Sequence, residues 1–340
     1  MCLGYALTAM SGRLARDTPN RFESIPERDG GYAAAIRDVD LPPRVATLAD
    51  EYDRRIGVRD RFLWQWIYNL FDAFTLSCVP ARRRAQVKAH KTVLTMFVTV
   101  LDDLADRQGD TATFAQARRV PFSPEAVDPD APGVDAEVLG FVEELYAAFS
   151  AGLADAPRAH EFDEVFAFDL RQTLNAMEYT CVLNDNPAMA NVRGSRHHGP
   201  FNMVMFPYAD VDLSFSPCFR VSDLGSLRSL LYDLQGLARI GNWVTTWERE
   251  LAEGDISAGV VVDAIERGVL DPRTDDADDA AALAERIRAH GIEEAFREEW
   301  ARRFADLAGR DHGIETVDAD ALVEGMATVM EHHDASHGYK

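Results

Sequence analysis

The chain has 340 residues, 47% of them hydrophobic, and a formal net charge of −22. That is enough apolar material for a large core, and so negative a surface should repel both nucleic acid and anionic membrane, which excludes them as expected partners. Lysine occurs only at Lys88, Lys91 and Lys340, so the cations are nearly all Arg; many carboxylates with so little Lys suit a solvated surface in high salt or a high-GC source.

The N-terminal run "MCLGYALTAMSGRLARD" is briefly apolar but has no basic stretch before it, so it is expected to be a mobile or docking segment and not a signal peptide. Residues 18–45 hold several Pro and Gly and show no clear period. Residues 1–45 are therefore expected to form a partly irregular segment before a single α-helical domain over 46–340. Apolar residues at three- and four-residue spacings predict helices over 59–77, 83–106, 134–153 and 159–183. The stretch "FNMVMFPYADVDLSFS" (201–216) alternates, but it stands alone and Pro207 interrupts it, so a helix or irregular link is expected there. Further helices are predicted over 222–252, with Gly236 and Gly241 as places to bend or split, and over 255–268, 278–290, 292–308 and 317–333. Loops are expected at Gln108–Asp135 and Leu270–Asp279. The fold class is all-α, a single-domain bundle of about ten helices. Four scattered cysteines, Cys2, Cys78, Cys181 and Cys218, point to free thiols in a reducing cytoplasm, and no apolar run is long enough to span a membrane.

Two constellations carry chemistry. "MFVTVLDDLAD" runs from apolar residues straight into Asp102, Asp103 and Asp106. On an α-helix Asp102 and Asp106 lie one turn apart on one face, with Asp103 about 100° round. Carboxylates so close raise one another's pKa or demand cations, and hard divalent ions with oxygen ligands meet that demand. A solvated acidic helix end is the alternative. The same pattern recurs at Asp275, Asp276 and Asp279, but there it follows "DPRT", with Thr274 resembling an N-cap, and reads as surface capping. In "IGNWVTTWERELAEGD" (240–255), Asn242, Thr246 and Glu250 are spaced i, i+4, i+8 and form one stripe of three hard oxygen donors suited to one Mg²⁺.

Together, an aspartate-rich helix followed by an N/T/E helix in an all-α chain resembles the class I terpene synthase family (terpene cyclases of the bacterial/archaeal single-α-domain type). That family carries DDxxD and an N-D-x-x-S/T-x-x-x-E motif. Arg249 before Glu250 and the following "ELAEGD" extend the likeness; Trp243 departs from it, standing where the family has Asp. The resemblance implies the class I terpene synthase (isoprenoid synthase) fold and Mg²⁺-dependent ionisation of a linear isoprenyl diphosphate. C15 is favoured and C20 an alternative, with cyclisation of the allylic cation to a terpene hydrocarbon or alcohol and release of diphosphate. It implies three Mg²⁺ ions, with Mn²⁺ able to substitute. Asp102 and Asp106 would bind two of them, with Asp103 in the same metal group, salt-bridged or behind the ligands. Asn242, Thr246 and Glu250 would bind the third.

The family also places a diphosphate-sensing Arg forty to fifty residues before the motif's Asn. Arg196, in "VRGSRHHGP", falls in that window, with Arg193 as competitor and His197-His198 in place of the usual Asp. Arg249, and Tyr339 with Lys340 in place of a terminal Arg-Tyr pair, are the other expected diphosphate contacts. Phe71, Phe74, Phe97, Val98 and Trp243 are expected to line the hydrocarbon pocket, and Trp64 and Trp247 join them as candidates. His332, His333 and His337 look like a metal cluster but are expected to be solvated. A homodimer is compatible with such a bundle. The rivals are a chain-elongating or head-to-head prenyltransferase of the same fold and a non-enzymatic helical binding protein.

Overall fold

A computed structural model of the chain describes residues 31–336, apart from 108, 274, 276–278 and the side chains of 106 and 107. The elements in order are α1 (Gly31–Arg37), α2 (Pro43–Arg55), α3 (Phe62–Phe74) and α4 (Ala81–Asp102), which runs into a π-turn, Asp103–Arg107. Then come α5 (Thr111–Ala117), α6 (Ala136–Ala154), α7 (Ala159–Asp185) and α8 (Val192–His198). A 3-10 segment, Gly199–Met203, leads into α9 (Met205–Ser214) and α10 (Leu224–Ala252). α11 (Gly259–Glu266), α12 (Ala280–Ala289), α13 (Ile292–Ala308) and α14 (Ala319–Ala335) complete the chain. Among the described residues there is no strand, and no helix is long and apolar enough to cross a membrane.

α3, "FLWQWIYNLFDAF", is apolar around most of its circumference and is accordingly buried between neighbours, with α4 on one side and α14 on another. The crossing with α14 depends on Gly325: a Cβ there would lie 1.9 Å from the Ala73 carbonyl oxygen, so only glycine lets the two backbones approach so closely. α10 is a single helix of 29 residues, about 43 Å long, and neither Gly236 nor Gly241 splits it. Gly236 instead makes room for α13, since a Cβ there would lie 2.7 Å from the Arg303 guanidinium.

Two buried ion pairs fix the middle of the bundle. Lys91 of α4 and Asp212 of α9 are both fully buried, Nζ to Oδ2 2.6 Å, and Asp212 also accepts the Leu76 backbone N–H at 2.9 Å. This ties the α3–α4 turn, α4 and α9 together. Asp169 of α7 takes two hydrogen bonds from Arg228 of α10, 2.6 and 2.8 Å. Asp210 of α9 is buried beside that pair, and its carboxyl is held well above the ordinary range by burial first and then by the Asp169 carboxylate.

One expectation, the Gln108–Asp135 loop, is corrected, and two others gain detail. Residues 31–45 hold α1 and the start of α2, although residues 1–30 lie outside the described part. The Gln108–Asp135 loop contains α5, started by Asp110, whose side chain caps the Thr113 N–H at 2.9 Å. The 201–216 link is helical, in two pieces joined at Val204, whose φ of 57° is in the left-handed region that a β-branched residue seldom enters.

Candidate functional site

A cavity of about 260 Å³ lies between α3, α4, α9, α10 and α14. Its long axis follows α3 and α4, which run antiparallel: Arg59, just before α3, reaches Asp103 at the end of α4, while Thr75, just after α3, lies 3.5 Å from Lys91. At the Asp102 end the lining is polar, with Asn202, Arg239, Asn242, Thr246, Arg249, Glu250, Glu253 and Asp255. The remainder is largely hydrocarbon and aromatic: Leu63, Trp66, Ile67, Leu70, Phe74, Val98, Met205, Tyr208, Met326 and Val329.

The polar stripe on α10 follows from helical spacing. Arg239, Asn242, Thr246, Arg249, Glu250 and Glu253 recur at three- and four-residue steps and so share a face. Across the cavity Asp102, the last residue of α4, accepts a hydrogen bond from Asn202 Nδ2 at 3.1 Å. Burial and the neighbouring Asp103 raise its carboxyl above the usual range, against the pull of Arg59. Glu250 is pushed to about 7 by burial and by Asp255, opposed by Arg239. Two desolvated carboxyl groups therefore face one cavity, and the arginines around them, Arg249 at 3.6 Å from Glu250 among them, do not offset their burial.

The π-turn separates the aspartates. A π-turn closes residue i to i+5, so the i, i+4 geometry expected for Asp102 and Asp106 on an α-helix does not carry across it. The side chain of Asp106 lies outside the described residues. Asp103 is 1% exposed and is not a wall of the cavity; it takes three hydrogen bonds from Arg59, 2.5, 2.9 and 3.2 Å, with Tyr52 at 3.4 Å. Of the two places expected for it, the geometry gives that of a salt-bridged carboxylate, and Arg59 is one compensator of the aspartate-rich stretch.

Arg196 stands apart from these residues. It lies on α8, outside the cavity wall, and its guanidinium is engaged by both Glu299 oxygens at 2.6 Å with the Phe296 ring beneath it. Of the arginines that line the cavity, Arg239 is the most buried at 6% exposed; it donates to Asn242 Oδ1 at 2.7 Å, and its Nε has no partner among the described residues. Its position three residues before Asn242 was a legible signal, because it puts Arg239 on the face of the N/T/E stripe. Nothing in the sequence marked Arg59 or Asn202, whereas Asp255 ends the "ELAEGD" stretch that extends the resemblance. Arg249 lines the cavity as expected, though it is paired with Glu253 at 2.8 Å. Tyr339, Lys340 and His337 lie outside the described residues.

Of the expected hydrocarbon wall, Phe74 and Val98 line the cavity. Phe71 stands one layer back, edge-on to Tyr208 at 5.0 Å. Phe97 packs against Tyr146, and Trp243 supports the Arg239 guanidinium from behind at 5.4 Å. Trp64 and Trp247 are core. The histidines near the C-terminus are not solvated as expected: His332 is buried and bonded to the Tyr32 hydroxyl at 2.6 Å, and His333 lines the cavity edge-on to Trp66. In the second aspartate cluster, Asp275 is paired with Arg286, accepts the Asp271 N–H at 2.8 Å, and does not line the cavity. Thr274 and Asp276 lie outside the described residues.

No family model matches the chain, and no curated protein matches it either.

The donor set fits a hard divalent cation in part. Asp102, Asn242, Thr246 and Glu250 are oxygen donors on one cavity, and the burial of two carboxyl groups, only partly offset by the nearby arginines, is what a cation would relieve. Asn242 Oδ1 already accepts from Arg239 but keeps a second lone pair, and the Thr246 hydroxyl donates to the Asn242 carbonyl at 2.8 Å, leaving its lone pairs open. Among the described residues no group of three or more His, Cys, Asp and Glu could hold a metal alone. Ligation here would therefore draw on the amide, the hydroxyl and oxygens of the substrate.

Proposed function

We propose that the chain is a metal-dependent enzyme of the class I terpene synthase kind, which ionises a linear isoprenyl diphosphate and lets the resulting allylic cation cyclise. The observation that carries this is the division of one cavity into a carboxylate, amide and guanidinium end and a hydrocarbon end. Asp102, Asn242, Thr246 and Glu250 would hold Mg²⁺, or Mn²⁺ in its place. Such ions supply the Lewis acidity that neutralises a departing diphosphate. Arg239 donates to the diphosphate from a buried position where a charged hydrogen bond is strong. Asn202 orients Asp102, and Arg59 neutralises Asp103, so that the carboxylates do not simply repel an anionic substrate. The walls beyond exclude water, and the faces of Phe74, Tyr208 and Trp66 stabilise positive charge by about 1–2 kcal/mol each without acting as nucleophiles. An elongating prenyltransferase would want a second aspartate cluster on the cavity; Asp275 is turned to Arg286 instead.

The test is incubation with C10, C15 and C20 prenyl diphosphates and Mg²⁺, reading diphosphate release and, by mass spectrometry, the extracted products. Terpene hydrocarbons or alcohols are expected, lost in Asp102→Asn and Glu250→Gln and kept in Asp275→Asn. Absence of diphosphate release, or elongated diphosphates formed only with isopentenyl diphosphate, would sink the proposal.

A further inference from the structure

The hydrocarbon end of the cavity contains one oriented polar group. Thr95 of α4 and Tyr208 of α9 both line the cavity, with their hydroxyl oxygens 2.7 Å apart. A third group fixes the direction of the protons. Thr95 Oγ1 donates to the Lys91 carbonyl, one turn back, at 2.8 Å. A threonine hydroxyl has one proton, so Tyr208 is the donor within the pair. Among the described residues no donor reaches Tyr208 Oη, which therefore offers only lone pairs.

The surroundings sharpen this. Seven residues of helix separate Thr95 from Asp102, so the pair sits about 10 Å along α4 from the carboxylate end. Phe71 meets the Tyr208 ring edge-on at 5.0 Å and Phe74 lies at 5.9 Å, which holds the phenol in place. Burial pushes the hydroxyl above its ordinary value, so it keeps its proton. The Lys91 ammonium lies 5.4 and 5.5 Å from the same two phenylalanine rings, but Asp212 meets its charge at 2.6 Å. The negative end of the phenol dipole is thus turned to this end of the cavity, and the nearest ammonium does not cancel it.

We infer that Tyr208, oriented by Thr95, is a specificity-determining residue: its oxygen draws positive charge to the inner end of the cavity and so selects the carbon on which that charge settles. Thr95 is the positioning residue, acting through Tyr208. The inference rests on the proposed prenyl diphosphate chemistry, so its test uses ligands that cannot react.

N,N-dimethyl-8-aminooctyl diphosphate carries an ammonium at the far end of its chain; 9-methyldecyl diphosphate is its uncharged isostere. Neither is allylic. Calorimetric titration of each with Mg²⁺ present gives a ratio of affinities. The wild-type protein is expected to prefer the ammonium probe by roughly ten-fold, as a hydrogen bond to a charged group provides. Tyr208→Phe should bring the ratio near one. Thr95→Val removes the acceptor of the phenol proton and frees that proton to turn inward, so the ratio should fall as far or further, while Thr95→Ser keeps it. A merely structural role would shift both probes together and leave the ratio unchanged. A wild-type ratio near one, or a ratio that survives both Tyr208→Phe and Thr95→Val, overturns the inference and leaves the diphosphate site standing. If neither probe binds, the diphosphate site falls and the inference falls with it.

Discussion

Lys91 and Asp212 offer a sharp test of how the bundle holds its centre. Both side chains are fully buried, with Nζ and Oδ2 2.6 Å apart. At an effective dielectric of about 20 their attraction is about 6 kcal/mol. Desolvating each ion costs several kcal/mol, so the two terms nearly cancel. The titration directions agree: burial is the leading influence on both groups, lowering Lys91 and raising Asp212, and in neither does the partner's charge reverse it. The pair should therefore add little net stability, while removal of one partner strands a buried charge. Lys91→Met should lose about 3–5 kcal/mol, because Asp212 keeps only the Leu76 N–H. Asp212→Asn should lose a similar amount. The double variant should recover to within about 2 kcal/mol of wild type, since neither charge is left alone. Urea unfolding followed by circular dichroism at pH 7, with the slope checked for constancy, measures all four proteins. Single variants within about 1 kcal/mol of wild type, or a double variant as unstable as the sum of the singles, would refute the reasoning.

Arg239→Ala should lower the rate of diphosphate release about 10²–10³-fold, whereas Arg196→Ala, which loses only the half-exposed pair with Glu299, should stay within about three-fold; steady-state assays that give the opposite order would contradict the placement of the two guanidinium groups. Asp210 is raised by burial and by Asp169, so the folded chain retains a proton there that the unfolded chain releases at lower pH. Its contribution is complete below the ordinary carboxylate value and is lost as pH rises through the folded one. Asp210→Asn should flatten that decline, and urea midpoints at pH 5 and pH 8 should show the variant gaining on wild type at the higher pH. Gly325→Ala should cost about 3 kcal/mol by forcing α14 off the Ala73 carbonyl, read as a lowered midpoint in scanning calorimetry.

Much of this architecture was written in the period of the long helices. The windows 159–183 and 292–308 became Ala159–Asp185 and Ile292–Ala308, because each spans enough turns for a 3.6-residue repeat to show. Some short helices, such as α5 and α8, were hidden. α9 is buried along its whole length, Asp210 and Asp212 included, so it has no solvated face to set against an apolar one. Within the site, Asn242, Thr246 and Glu250 were legible because spacing on one helix fixes a shared face. Where Arg196 points was not, since Glu299 reaches it from a helix about a hundred residues later. Nor was the loss of the i, i+4 relation between Asp102 and Asp106: it turns on a change of hydrogen-bond register at the end of α4, which side-chain types alone do not announce.

The scarcity of lysine gives this fold a chemical handle. Two of the three lysines, Lys88 and Lys91, are buried on α4, with their ammonium groups held by Asp72 and Asp212. Lys88 pairs with an exposed Asp72, but Lys91 is fully buried, and an acylating reagent added to the native protein does not meet its amine until the structure opens. Acylation at Lys91, mapped by peptide mass, would therefore act as a clock for the separation of α4 from α9. Such a clock follows the hydrocarbon end of the cavity without a label being introduced.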